Sequence, residues 1–144
     1  MRESIVVGTD GSETAERAVT EAARLARALG AELHVVSGYD PRPSALSALS
    51  GEFAMPPDGE GDALEAMLAA SAAGVRAEDL PVHTHAAGGD PAEALIEVAA
   101  AVGASMIIVG NRGMHGVKRV LGSVPNTVSH KAPCNVLIVS TDSR

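Results

Sequence analysis

The chain has 144 residues, the size of one ordinary domain, and 11 Lys plus Arg against 18 Asp plus Glu leave it at −7. That balance excludes a general nucleic-acid binder, which needs a basic face, so any phosphate must be held at a local site. A single cysteine, Cys134, excludes an internal disulfide, and no apolar run approaches the ~18 residues of a membrane span.

The first strand covers residues 4–8 and begins almost at once, with no signal segment ahead of it, so the chain reads as cytoplasmic. It stops at Thr9-Asp10-Gly11-Ser12, where Ser12 caps a helix with Glu13 and Glu16 at its positive end. Ala15, Ala18, Val19, Ala22, Leu25, Ala26 and Leu29 form the buried stripe of that helix, and Gly30 ends it. Residues 32–36 are the second strand. Residues 40–61, rich in Pro, Ser, Ala and Gly, read as a long connection or lid.

A helix over 62–73 turns Leu64, Met67 and Leu68 inward, and residues 81–87 form the third strand. Asp90-Pro91-Ala92-Glu93 is a strong helix start, with Asp90 at the N-cap and proline in the first turn. That helix runs to Ala101 and closes at Gly103. Residues 105–109 are the fourth strand. Ser123 caps a last helix through about His130, Pro133 stops it, and Asn135 to Ser140 is the fifth strand. Cys134, just before it, reads as a packing residue. No internal repeat or second domain is evident, so residues 1–144 read as one domain.

Alternating strands and helices, with apolar strands that do not alternate, predict an α/β fold: a doubly wound parallel sheet covered on both faces. Ligands of such sheets bind beyond the carboxyl ends of the strands, at the topological switch point. Asp10, the segment 88–90 and the segment 110–113 all follow strand ends and belong to that edge. The most informative of them is Ile108-Val109-Gly110-Asn111-Arg112-Gly113, followed by Lys118-Arg119 and Gly122-Ser123. Glycines let backbone N–H groups approach an anion, and a helix N-terminus adds unpaired donors and a favourable dipole. Arg112, Lys118 or Arg119 supplies charge. The segment is neither a P-loop nor a dinucleotide fingerprint, because G-x4-G-K-[ST] is absent and Gly110, Gly113 and Gly116 are spaced three and three. Only Tyr39 and Phe53 are aromatic, so a bound base rests on aliphatic side chains and backbone amides.

From Gly8-Thr9-Asp10-Gly11-Ser12, through His34-Val35-Val36 and Gly89-Asp90-Pro91, to Val109-Gly110-Asn111-Arg112-Gly113, Gly122-Ser123-Val124 and Ala132-Pro133-Cys134-Asn135-Val136, the chain resembles the universal stress protein (UspA-like) family. The resemblance runs nearly end to end. It implies a five-stranded flavodoxin-like sheet, of the adenine nucleotide alpha hydrolase-like type, in the order 3-2-1-4-5. It also implies a stress-response or regulatory role, a homodimer, and the nucleotide-binding branch, whose pattern is G-x2-G-x9-G-[ST]. Here eight residues, not nine, separate Gly113 from Gly122.

Carried over, the pattern places Thr9 and Asp10 by the adenosine and metal region, Asp10 meeting Mg²⁺ through the nucleotide. Val35 offers backbone contacts to adenine, and Gly88 or Gly89 borders the pocket. Val109, Gly110, Arg112 and Gly113 line the ribose and phosphates, and Gly122, Ser123 and Val124 bind phosphate. ATP leads as ligand, with AMP and cyclic AMP as alternatives. The strand from Asn135 to Ser140, apolar and at the sheet edge, is the expected dimer contact.

Two other functions share the fold. A slow ATPase would use Asp10, Mg²⁺ and Arg112, but no catalytic base is evident beside the expected phosphates, so no residue is assigned as catalytic. A dimeric scaffold without nucleotide would follow from the shortened spacing. A receiver domain lacks support, since Asp10 has no acidic neighbour. His83 and His85 share a strand face as a chelating pair would, but no third ligand stands out nearby, and they read as ordinary histidines. His115 falls in the phosphate loop.

Overall fold

The apolar runs become β1 (Ser4–Gly8), β2 (Glu32–Tyr39), β3 (Val82–Gly88), β4 (Met106–Gly110) and β5 (Asn135–Val139). Between them lie α1 (Glu13–Leu29), α2 (Glu60–Val75), α3 (Pro91–Val102) and α4 (Ser123–Lys131). The structure, a computed structural model, describes residues 2–39, 60–111 and 123–141. All strand pairs are parallel, in the order β3-β2-β1-β4-β5. The expected doubly wound sheet is therefore present, with its switch point between β1 and β4.

Period two divides the strands into two cores. Ile5 and Val7 of β1, with Leu33, Val35 and Ile108 beside them, face α1 and α2. Val6, Val36, Ile107 and Val109 face α3 and α4. In β1 the residues Ile5, Val6 and Val7 are fully buried, which is why that strand reads as a continuous apolar run. α1 buries Ala18, Val19, Ala22, Ala23 and Ala26, a stripe of small residues that lets its axis lie close to the sheet. The Ser12 hydroxyl accepts from Ala15 N–H at 3.2 Å, and Gly30 closes the helix at φ 65°, in the left-handed region. Cys134 is half-buried against the second core, and burial pushes its thiol pKa up.

Several boundaries differ from the sequence reading. β2 runs on to Tyr39, because the backbone of Ser37, Gly38 and Tyr39 keeps its register with Ala86, Ala87 and Gly88. Neighbouring-strand pairing thus overrides the weak strand propensity of Ser-Gly. α2 extends two residues further at each end than expected, and β4 is shifted by one. Asp90 is the N-cap of α3, but its side chain makes no capping bond; its carbonyl accepts from Ala94 N–H at 3.0 Å. Among the described residues, no helix is long and apolar enough to cross a membrane.

Candidate functional site

Because every strand runs in one direction, the starts of α1, α3 and α4 are delivered to the same sheet edge as the ends of β1, β2 and β4. They enclose a cavity of about 520 Å³. Thr9 and Asp10 approach from β1, Val36 and Gly38 from β2, and Val109 and Gly110 from β4. Ser12, Thr14 and Ala15 of the α1 start, Pro91 and Leu95 of α3, and Ser123, Val124 and Pro125 of α4 complete the wall with Thr141.

Three strand-end glycines set how closely these walls approach. A Cβ on Gly38 would come within 2.9 Å of the Pro91 Cα, and one on Gly8 within 3.0 Å of Leu95. A Cβ on Gly110 would meet the Thr141 methyl at 3.1 Å. Any larger residue there pushes strand from helix or fills the cavity floor.

Polar ties fix the rim. Thr9 N–H donates to the Val36 carbonyl at 2.9 Å, joining the β1 and β2 ends. The Thr9 hydroxyl accepts from Gly11 N–H at 3.1 Å and donates to Glu16 at 3.2 Å. The second Glu16 oxygen accepts from the Ser71 hydroxyl at 2.9 Å. Asp10 is exposed, and its carboxylate accepts from Ser12 N–H at 2.9 Å across a turn in which Gly11 has φ 81°.

Across the cavity, buried Asn111 accepts from Thr141 N–H at 2.9 Å and from its hydroxyl at 2.7 Å. Arg17 donates to the Thr141 carbonyl at 3.0 Å. The helix starts bring positive dipole ends to the site. Glu13 and Glu16 occupy the first turn of α1 and Glu93 that of α3, whereas the first turn of α4 holds no acid.

Of the residues singled out in the sequence, Thr9, Asp10, Val109, Gly110, Ser123 and Val124 come together on this cavity. Val35 does not line it. It is fully buried in the first core, and its neighbour Val36 lies on the cavity wall. Gly88 ends β3, opposite Tyr39. Arg112, Gly113 and Gly122, together with His115, Lys118 and Arg119, lie outside the described residues, as do residues 40–59. Gly38, Pro91, Leu95 and Thr141 were missed. Gly38 left a signal, a glycine inside a strand, which marks close backbone approach; Thr141 left none.

The universal stress protein family profile matches residues 1–140. The universal stress protein Rv1636 of Mycobacterium tuberculosis is 36% identical over 141 residues, covering 96% of each chain. A universal stress protein of Thermus aquaticus is 36% identical over 140 residues, covering 96% of this chain and 99% of its own. Among solved structures, a universal stress protein in complex with cAMP superposes with a TM-score of 0.73 at 32% identity, covering 98% of both chains. The Archaeoglobus fulgidus universal stress protein in complex with dAMP gives 0.68 at 25% identity, covering 94% and 96%. A doubly wound parallel sheet with a cavity at its switch point places the chain in the class of open α/β proteins. Within that class, this chain belongs to the universal stress protein family.

Proposed function

We propose that the chain binds an adenine nucleotide in this cavity, with ATP the first candidate and AMP and cyclic AMP the alternatives. The observation that carries the reading is the 520 Å³ cavity at the β1/β4 switch point, a volume within the roughly 300–1,000 Å³ range of small-molecule sites. Relatives solved with cAMP and dAMP support the adenine nucleotide class.

The phosphates belong at the start of α4, beside Ser123 and Val124, where the dipole is not opposed by a first-turn acid. The base belongs against Val36, Gly38 and Leu95, an aliphatic wall. In this reading Asp10, on the cavity rim, meets a nucleotide-borne Mg²⁺. The protein acts as a cytoplasmic homodimer with a regulatory, stress-response role, the nucleotide serving as the signal that a partner reads.

The test begins with denatured, freshly purified protein, whose released small molecules are separated by chromatography. Calorimetric titration of ATP, AMP and cyclic AMP follows. At least one adenine nucleotide is expected to bind, and Gly110→Val, which fills the floor beside Thr141, is expected to weaken it about tenfold or more, some 1.4 kcal/mol. No released nucleotide and no heat from any of the three would overturn the reading.

A further inference from the structure

A second cluster of chemistry lies away from the nucleotide cavity, on the β2–β3 half of the sheet. His34 of β2 stands directly opposite His83 of β3, and His85 is opposite Val36. The His34 ring stacks on His83 with centroids 4.8 Å apart and planes 21° apart, and lies 5.1 Å from His85. Glu32, two residues before His34, is on the same face. Its carboxylate oxygen sits 3.5 Å from His83 Nε2 and 3.8 Å from His34 Nε2. None of these residues lines the cavity.

One atom makes this more than a group of neighbouring rings. The His34 side chain is only 8% exposed, and among the described residues its Nε2 has no hydrogen-bond partner. A buried ring nitrogen left unmatched is costly, and native structures rarely tolerate it without a bound species to explain it. That nitrogen lies 3.8 Å from the Glu32 carboxylate, beyond hydrogen-bond range. The ligating atoms of Glu32, His34 and His83 all lie within 4.8 Å of one another.

We propose that Glu32, His34 and His83 bind a divalent transition-metal ion of the Zn²⁺ class. Two imidazoles and one carboxylate are a borderline nitrogen–oxygen donor set, which suits Zn²⁺ over Mg²⁺ or Ca²⁺. Around a tetrahedral Zn²⁺ with bonds of about 2.0–2.2 Å, ligand atoms stand roughly 3.3–3.5 Å apart. The two distances from Glu32 are already close to that. His83, with a 49% exposed side chain, has room to rotate inward and close the remaining gap. Its exposure leaves the fourth position to water.

A supporting contact behind the His34 ring is also in place. His34 Nδ1 lies 2.9 Å from His85 Nε2. With the metal on Nε2, Nδ1 carries the ring proton and donates it to His85, which fixes the tautomer and ring orientation, as a carbonyl or carboxylate does behind most metal-bound histidines. His85 is thus a positioning residue. A bound ion ties β2 to the edge strand β3 through side chains as well as backbone.

The experiment uses untagged, full-length protein stripped with a chelator and titrated with Zn²⁺ alone by calorimetry. Co²⁺ serves as a spectroscopic substitute, since a tetrahedral site gives strong visible absorption. The expected result is one ion per chain with micromolar or tighter affinity. His83→Ala and Glu32→Gln, neither in the core, should each weaken it about tenfold or more. His130→Ala, on exposed α4 surface, should leave it unchanged. Far-ultraviolet circular dichroism confirms that the variants fold. Absence of saturable Zn²⁺ binding, or binding that survives both substitutions in folded protein, overturns the proposal. Adenine-nucleotide titration of metal-free His83→Ala keeps this outcome separate from the fate of the cavity.

Discussion

His34 and His85 illustrate how a single placement changes a residue's chemistry. Burial, followed by the neighbouring rings His83 and His85, holds the His34 pKa below its ordinary value, with Glu32 opposing; burial and His83 do the same to His85. Both groups therefore bind protons more weakly when folded than unfolded. The stability they permit is present above the ordinary histidine value of about 6.5 and is lost as pH falls through it toward the depressed folded values. In metal-free protein, the thermal midpoint is expected to fall on acidification from pH 7.5 to pH 5, and His85→Gln should shallow that slope. A midpoint flat across that range would contradict the burial argument. None of this was readable along the chain. His83 and His85 were visible as a pair, but their partner His34 lies about fifty residues earlier and meets them only through the parallel register of β2 and β3. Local pattern reports which face a side chain takes, not which distant side chain shares it.

At the level of elements, the sequence is most legible where one signal serves one helix or strand. The Ser12 cap and the closing glycines Gly30 and Gly103 fall where expected, and Ala18, Val19, Ala22 and Ala26 are buried as the α1 stripe requires. Leu29, expected in that stripe, is instead 54% exposed at the helix's last residue, beyond the part of α1 that packs on the sheet. Legibility fails where two elements decide together. Gly38 continues β2 because β3 pairs with it, and it is glycine because Pro91 of α3 presses against its backbone. A methyl group there would sit 2.9 Å from the Pro91 Cα, which is backbone and cannot simply rotate away. Gly38→Ala is expected to destabilise the fold by about 1–3 kcal/mol, the usual cost of overpacking. Urea unfolding measures it through the shift in midpoint at constant slope. An unchanged midpoint would mean that the β2 end and the α3 start separate freely. The site shows the same division. The strand-end residues Thr9, Asp10, Val109 and Gly110 were legible from turn chemistry, whereas Leu95 and Thr141 reach the cavity only through packing.

At the scale of the fold, the strand order among the described residues leaves β5 paired on one side only, with β4. Its residues Val136, Leu137, Ile138 and Val139 are half-buried, an apolar edge of the kind that proteins cover. Pairing of this edge with a second copy is the closed solution that two-fold symmetry offers. Size-exclusion chromatography with light scattering is expected to give twice the 14.5 kDa chain mass at micromolar concentration. A single-chain mass would remove β5 as the dimer contact. The alternating pattern makes the sheet and the edge that carries the cavity legible in the sequence, because right-handed crossovers leave few other arrangements. What it left open was which copies or ions the finished surface holds.

The knot of bonds around Thr141 carries a dynamic consequence. Its amide hydrogen is held by Asn111 in a buried setting, and its carbonyl by Arg17 of α1, so the segment after β5 is fastened to two other elements. Exchange of that hydrogen with solvent requires its bond to Asn111 to open, and an opening that moves Thr141 away from Asn111 disturbs the part of the cavity lining that Thr141 forms. The amide of Thr141 therefore keeps time for the site: its exchange rate is expected to report how often that part of the lining opens, and a molecule that fills the cavity is expected to slow it.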